Sequence, residues 1–397
     1  MRPGGGVMLA VAIVVVACGA PAAARTSNDQ ATQRLGPSVR LTLDGPVALV
    51  TPAGARATAA GTTVSVVASP TIAQLIGQKL IVRMDGLTPS ADLLGRIRRG
   101  EVGGVILFGT NVSTATQVRA LTATLRAAAA AGGRPRLIVA VDQEGGPIKR
   151  IPWAPPTISP RDMGTLGLAS VALAQGTATG SALHGLGINV DFAPVADVPA
   201  LTSSFLYREG RTWSFLVGRT TGLADSFATG LEAGRVVPVM KHFPGLGYAT
   251  RNTDASVVTI TQSQAGLAQG LRPYQRAIGH HIPMIMLSNA IYPAYDPAHA
   301  AGWSRAIVGT LLRHDLGFTG VTITDSLDGI AHARGVTTRS LAFAAARAGT
   351  DMILTTGSEL TSRDEFSLLV REATAGQIPL ATLQASYTRI LALKAGL

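Results

Sequence analysis

Residues 311–327 read LLRHDLGFTGVTITDSL. The stretch holds the tail of a helical candidate (Arg305 to Leu316), a short β-branched run (Val321 to Thr324) and, at the carboxyl end of that run, an acidic residue, Asp325. Working outward, the same alternation of a short apolar run with a longer amphipathic or Ala-rich segment recurs along the chain. The other runs are Leu80 to Met84, Gly104 to Phe108, Leu137 to Val141, Ile188 to Phe192, Val236 to Met240, Met284 to Leu287 and Met352 to Leu354. Helical candidates between and after them include Thr114 to Ala130, Ala169 to Gly185, Arg219 to Ala233 and Ser340 to Ala348. Eight β-then-α units over about 325 residues predict the α/β class and a (β/α)8 barrel. An open doubly wound sheet has about five to seven strands and a phosphate fingerprint instead.

Barrel enzymes place their chemistry at the carboxyl ends of the strands. Polar residues gather there: Asp142 after the third run, Lys241 and His242 after the fifth, Ser288 and Asn289 after the sixth, Asp325 after the seventh. What precedes the runs is mostly Gly, Pro and Arg, which favours a site over a random scatter of polar residues.

With 397 residues, 47% hydrophobic and 14% charged, the chain buries a large core and is not mainly disordered. Its 34 Lys and Arg against 23 Asp and Glu give +11, which would suit an anionic partner. The basic residues are scattered, however, the longest cluster being Arg96, Arg98 and Arg99, and a distributed excess reads as a solvated surface. Aromatics at 5% offer little base stacking, so no nucleic-acid partner is expected. There is no GxxxxGK[ST] loop, dinucleotide fingerprint, HExxH or cysteine pair, so neither a metal nor an organic cofactor is expected. A monomer is expected.

A single cysteine, Cys18, excludes an intrachain disulfide. Arg2 precedes an apolar run, Val7 to Ala17, that ends in Val15-Val16-Ala17-Cys18. At about 11 residues the run is too short to span a bilayer and reads as a signal-peptide core. Its end resembles a bacterial lipobox. The expectation is a signal peptide over 1–17 and a lipidated Cys18 that holds an exported protein at the outer face of the cytoplasmic membrane. The alternative is cleavage after Ala-Pro-Ala-Ala-Ala, with Cys18 discarded. Residues 18–69, rich in Ala, Thr, Gly, Ser and Pro, read as a flexible tether, with a short hairpin around Asp44-Gly45 possible within Val39 to Val50. Residues 70–397 are the barrel.

Six ordered pieces carry a family resemblance: GGVILFGTN (103–111), VDQEGGPIKRI (141–151), GINVDFAPVADV (187–198), KHFPGLG (241–247), LLRHDLGFTGVTITDSL (311–327) and AGTDMIL (348–354). The chain resembles glycoside hydrolase family 3, in the bacterial β-N-acetylhexosaminidase branch that consists of a barrel alone. The resemblance implies that Asp325 is a nucleophile forming a covalent glycosyl-enzyme; the plainer alternative is a cap for the following helix. It implies that Asp142 accepts hydrogen bonds from adjacent sugar hydroxyls, that Arg150 and Arg211 help hold the sugar, and that Lys241 and His242 donate to hydroxyls. Each of these would otherwise be a salt bridge or a satisfied core group.

The resemblance further implies a His acid/base on a loop after the KHFPGHG motif, in an Asp-Ser-His triplet. Here the sequence departs from that pattern. In KHFPGLGYATRNTDAS, Leu246 stands at the motif's second His, Asn252 at the dyad Asp and Asp254 at the dyad His, and no His occurs between His242 and His280. Three readings stay open: Asp254 is itself the general acid; another acid, a good leaving group or a phosphate acceptor meets the need; or the protein binds sugar without turning it over. Asn289 would hydrogen-bond an acetamido group or satisfy backbone at the strand end, and Asp296 reads as a turn former. The function expected is release of a terminal β-linked sugar, N-acetylglucosamine by resemblance, from cell-wall glycan or muropeptide fragments. The competing expectation is a non-catalytic or weakly active glycan-binding lipoprotein.

Overall fold

The computed structural model describes residues 48–50, 56–58 and 69–397. The chain divides into two units, Met1–Val67 and Ala68–Leu397. In the first, Ala48–Val50 pairs antiparallel with Arg56–Thr58. The hairpin expected around Asp44-Gly45 rests on residues 39–47, which lie outside the described residues. Cys18, the signal peptide and most of the tether lie outside the described residues.

The second unit is the barrel. Eight strands follow one another in sequence: β1 (Leu80–Arg83), β2 (Gly104–Leu107), β3 (Ile138–Val141), β4 (Val190–Asp191), β5 (Val237–Phe243), β6 (Met284–Leu287), β7 (Val321–Thr324) and β8 (Ile353–Thr355). All pair in parallel in the order β7-β6-β5-β4-β3-β2-β1-β8. The ring closes between β7 and β8 through a parallel bridge, Ile323 with Met352, where Met352 N–H donates to Thr322 O at 2.8 Å and Thr324 N–H to Met352 O at 3.1 Å. Strands buried on both faces are near-continuous apolar runs, which is why all eight runs in the sequence became strands. One face of each fills the barrel interior with Ile81, Ile106, Ile138, Val239, Met286 and Ile323. β5 extends three residues beyond its predicted end, so Lys241 and His242 lie within the strand rather than after it.

The outer layer includes α1 (Ala91–Arg99), α2 (Ala115–Ala131), α3 (Ala169–Gly185), α4 (Val217–Ala233) and α5 (Gln264–Gly279). After these come a π-helical segment, Ala306–Asp315, and then α6 (Thr338–Ala348), α7 (Glu359–Thr374) and α8 (Leu380–Ala395). α3 and α4 pack closely because glycines face each other: a Cβ on Gly176 would stand 2.3 Å from Phe227 O, and one on Gly230 2.4 Å from Leu173 O. Among the described residues no helix is long and apolar enough to cross a membrane.

The amino end of the barrel is sealed by buried charge. Asp351, just before β8, accepts from Arg389 (2.7 and 3.1 Å), from Arg313 and from Thr322 N–H (2.9 Å). Lys79, just before β1, donates to Thr350 O and Ser386 Oγ, and Lys394 of α8 donates to Gln78 Oε1 and Gly103 O. Polar groups therefore occupy both ends of the barrel. Those at the amino end satisfy one another, which is the signature of a stabilising face.

Candidate active site

At the carboxyl end, one cavity of about 560 Å³ gathers seven of the eight site residues expected in the barrel: Asp142, Arg150, Arg211, Lys241, His242, Asp254 and Asp325. Ile106, Phe108, Met286 and Leu354 contribute apolar surface to the same cavity.

Asp325 stands one residue beyond β7. Its N–H donates to Leu287 O at 2.9 Å, and Oδ1 accepts from Ser326 N–H at 2.8 Å, so one oxygen is tied down and the side chain keeps 14% of its surface open. Opposite is His242. Its Nδ1 lies 2.7 Å from Asp197 Oδ2, and Nε2 points towards Asp325 Oδ2 at 4.0 Å. Asp197 is fully buried and also accepts from His242 N–H and Leu246 N–H. A carboxylate at Nδ1 fixes the ring's orientation and favours the proton on Nδ1, leaving Nε2 to face the cavity. Leu246 itself is buried beside Phe243 and Tyr292. The position that holds His in the related motif is thus core here.

A charge network forms one wall. Lys241 Nζ reaches Asp142 Oδ1 at 2.8 Å and Glu144 Oε1 at 2.6 Å, and Arg211 grips Glu144 with two bonds of 2.9 Å. Burial works against the Lys241 charge, yet Asp142 and Glu144 outweigh it and hold the ammonium above its ordinary pKa. Burial likewise works against Glu144, and the Arg211 and Lys241 charges override it, pulling the carboxyl down to about 2. Arg211 is carried on a loop anchored by Trp213 Nε1–H donating to Val195 O at 2.7 Å. Arg150 lies 5.6 Å over the Phe108 ring and 3.9 Å from Asp142. Its loop is pinned by Gln143, which donates to Ile151 O and Pro155 O and accepts from Ile151 N–H. Beneath this wall Asp191 is buried with one oxygen bonded to Gln143 N–H and the other unpartnered, and burial pushes its carboxyl up to about 8.

Asp254 completes the cavity from the β5–α5 loop. Asn252 Oδ1 accepts Asp254 N–H at 2.8 Å. Gly329, on the short helix after Asp325, would place a Cβ 2.3 Å from Asp254 O, so the loop rests directly on the helix that follows Asp325. Asp254 keeps surface open at the cavity mouth while sitting low in a bowl of protein atoms. That setting displaces bulk water, and with the Asp325 charge it pushes the Asp254 carboxyl up to about 7.

The eighth expected residue, Asn289, is placed differently. It is 1% exposed and does not line the cavity. Its Nδ2 donates to Ser326 O at 2.8 Å and lies 3.5 Å from Asp254 Oδ1. Of the two readings the sequence left open, the structure shows the backbone one and not the acetamido contact: Asn289 ties the Asp325 turn to the Asp254 loop from behind. Asp296 forms the expected turn, accepting from Ala298 N–H, His299 N–H and Ser304 Oγ. Sequence reasoning missed Glu144 and Asp197. Glu144 carried a signal, since it is two residues from Asp142 and so on the same side of an extended segment; Asp197 is brought to His242 only by the pairing of neighbouring strands. Among the described residues no cluster of three or more His, Cys, Asp or Glu side chains is arranged to hold a metal.

The profile of the glycosyl hydrolase family 3 N-terminal domain matches residues 71–393, nearly the whole barrel unit. The chain belongs to glycosyl hydrolase family 3. It is thereby an O-glycosyl hydrolase by family. A secreted glycosyl hydrolase of Arthroderma benhamiae, described as uncharacterized, is 32% identical over 81% of this chain and 92% of its own length. A β-hexosaminidase of Shewanella frigidimarina is 32% identical over 69% of this chain and 81% of its own. Among solved structures, the family 3 β-N-acetylglucosaminidase of Paenibacillus sp. superposes with a TM-score of 0.79 at 29% identity, covering 83% of this chain and 63% of that one. The β-N-acetylhexosaminidase of Beutenbergia cavernae gives 0.76 at 30% identity, covering 82% of this chain and 99% of that one.

Proposed function

We propose that this family 3 member is a retaining glycoside hydrolase that releases a terminal β-linked N-acetylglucosamine, with Asp325 as nucleophile and Asp254 as general acid and base. One observation carries the reading: two carboxyl groups, Asp325 and Asp254, line one cavity; partial desolvation and the Asp325 charge push the Asp254 carboxyl up to about 7. Two carboxyl groups, one of them with a raised pKa, supply the acid and the nucleophile that retention needs. Asp325 attacks the anomeric carbon as the glycosidic oxygen takes the Asp254 proton and leaves as an alcohol. Asp254, now ionised, accepts a proton from the water that attacks the same carbon and frees Asp325. Asp142, Lys241, His242, Arg150 and Arg211 would grip the sugar hydroxyls. Their mutual pairing orders them before substrate arrives, so less entropy is lost on binding.

N-acetylglucosamine as the released sugar rests on the likeness to proteins named β-hexosaminidase and β-N-acetylglucosaminidase. Cell-wall fragments as its source rest on the family resemblance, and export with lipidation at Cys18 rests on the sequence of residues 1–18. The test is Asp254→Ala assayed on a β-linked disaccharide and on an aryl β-N-acetylglucosaminide. The disaccharide rate falls about 10²- to 10⁴-fold, while the aryl substrate, whose leaving group needs little protonation, is spared at the first step. An equal effect on both removes Asp254 from proton transfer. Wild-type protein that binds the disaccharide yet turns over neither substrate would establish the glycan-binding reading instead.

A further inference from the structure

A second groove, of about 900 Å³, opens at the amino ends of β3, β4 and β5, away from the carboxylates. Arg126, Arg134, Arg136 and Arg235 line it with His184, and Glu232 is the only acidic side chain in the lining. The arginines arrive from different elements: Arg126 from α2, Arg134 and Arg136 from the α2–β3 connection, Arg235 from the α4–β5 turn. Cations at helix C-termini often serve only to offset the helix dipole, and Arg134 does this, donating Nε–H to Arg98 O at 2.9 Å. Arg126, Arg136 and Arg235 do not: among the described residues their guanidiniums meet neither a carboxylate nor a carbonyl.

The Arg126 Nη2 would lie 2.9 Å from a Cβ on Gly187, so the side chain passes over the α3–β4 turn. Arg235 has φ 67° and His281 φ 61° at the second position after α4 and α5, where Gly133 and Gly187 stand after α2 and α3. Glycine suits such a turn, so a change of Arg235 to glycine leaves the turn intact.

We infer that this groove binds a chain carrying successive phosphate groups. Exposed arginines brought to one groove by different elements suit a tetrahedral phosphate, whose oxygens accept from more than one side; a planar carboxylate is matched by a single fork. The volume is that of a sizeable ligand and exceeds what one inorganic phosphate fills. No Phe, Tyr or Trp lines the groove, so nucleobases would find no stacking platform, and the repeating phosphate is the recognised feature.

Short-chain inorganic polyphosphate is the probe, titrated into full-length protein by calorimetry at two salt concentrations. Binding is expected, weakening with salt and by about tenfold for each of Arg126→Gln, Arg136→Gln and Arg235→Gly. Arg235→Gly is the informative variant: glycine suits the left-handed turn, so its melting temperature does not fall while its affinity does. Equal affinity in wild type and variants would overturn the inference. So would binding of polyglutamate or oligothymidylate as tight as that of polyphosphate.

Discussion

Asp351, at the amino end of the barrel, is fully buried, and Asp254, at the carboxyl end, lies open at the cavity mouth; their surroundings push the two carboxyls in opposite directions. Burial disfavours the charge of each. Around Asp351, the Arg313 and Arg389 guanidiniums override that penalty and hold the carboxyl below its ordinary range. Around Asp254, the largest charge effect comes from another carboxylate, Asp325, which adds to the penalty and takes the group to about 7. The Asp351 charge is thus compensated by its neighbours and that of Asp254 is not, and a carboxyl with a raised pKa in a cleft is a candidate functional group.

Substitutions that cross this contrast separate the two ends. The largest effect is on Asp325: Asp325→Ala lowers kcat/KM for an aryl β-N-acetylglucosaminide by roughly 10⁴-fold or more without lowering the melting temperature. A variant that also loses the fold would place Asp325 among the structural groups. Next, Asp351→Asn costs about 3–5 kcal/mol of stability in denaturant unfolding, because two guanidiniums lose the charge they were built around, while kcat of the folded fraction is unchanged. An unaltered unfolding midpoint would show that the amino end is not held by this network.

A smaller effect is read from pH. With Asp254 acting as the acid, kcat/KM for a disaccharide declines as pH rises through about 7, approaching tenfold per unit, and Asp254→Asn abolishes that limb. The smallest is the stability counterpart. The Asp254 carboxyl binds its proton more tightly folded than unfolded, where the ordinary value is 3.8, so the stability it contributes is present below about pH 4 and is lost as pH rises to about 7. Asp254→Asn removes that loss. The variant therefore gains on wild type between pH 4 and 7, and the difference stays constant above; a melting series on both proteins reads it.

The barrel was legible because each parallel strand is a short apolar run, and such runs at Leu80, Gly104 and Val321 need no long-range information to be recognised. The site residues on strand ends were legible for the same reason: Asp142, Lys241 and Asp325 follow runs whose direction is set by the fold. Residues whose role depends on a partner far along the chain were not. Glu144 meets Arg211 across 67 positions and Asp197 meets His242 across 45, and neither pairing leaves a periodic trace. Asn289 stood at the right strand end with two readings open, since nothing local decides between a sugar contact and the bond its amide makes to Ser326 O. At the amino end Lys79 and Asp351 went unremarked because Gly, Pro and Arg dominate the residues before the runs.

Mechanism-based labelling tests the nucleophile most directly. A fluorinated N-acetylglucosaminide with an activated leaving group, quenched on the protein and followed by peptide mass spectrometry, is predicted to add one glycosyl mass to the peptide containing Asp325 and to none other. A glycosyl mass on a different side chain, or turnover of the aryl substrate that persists in Asp325→Ala, would contradict the account.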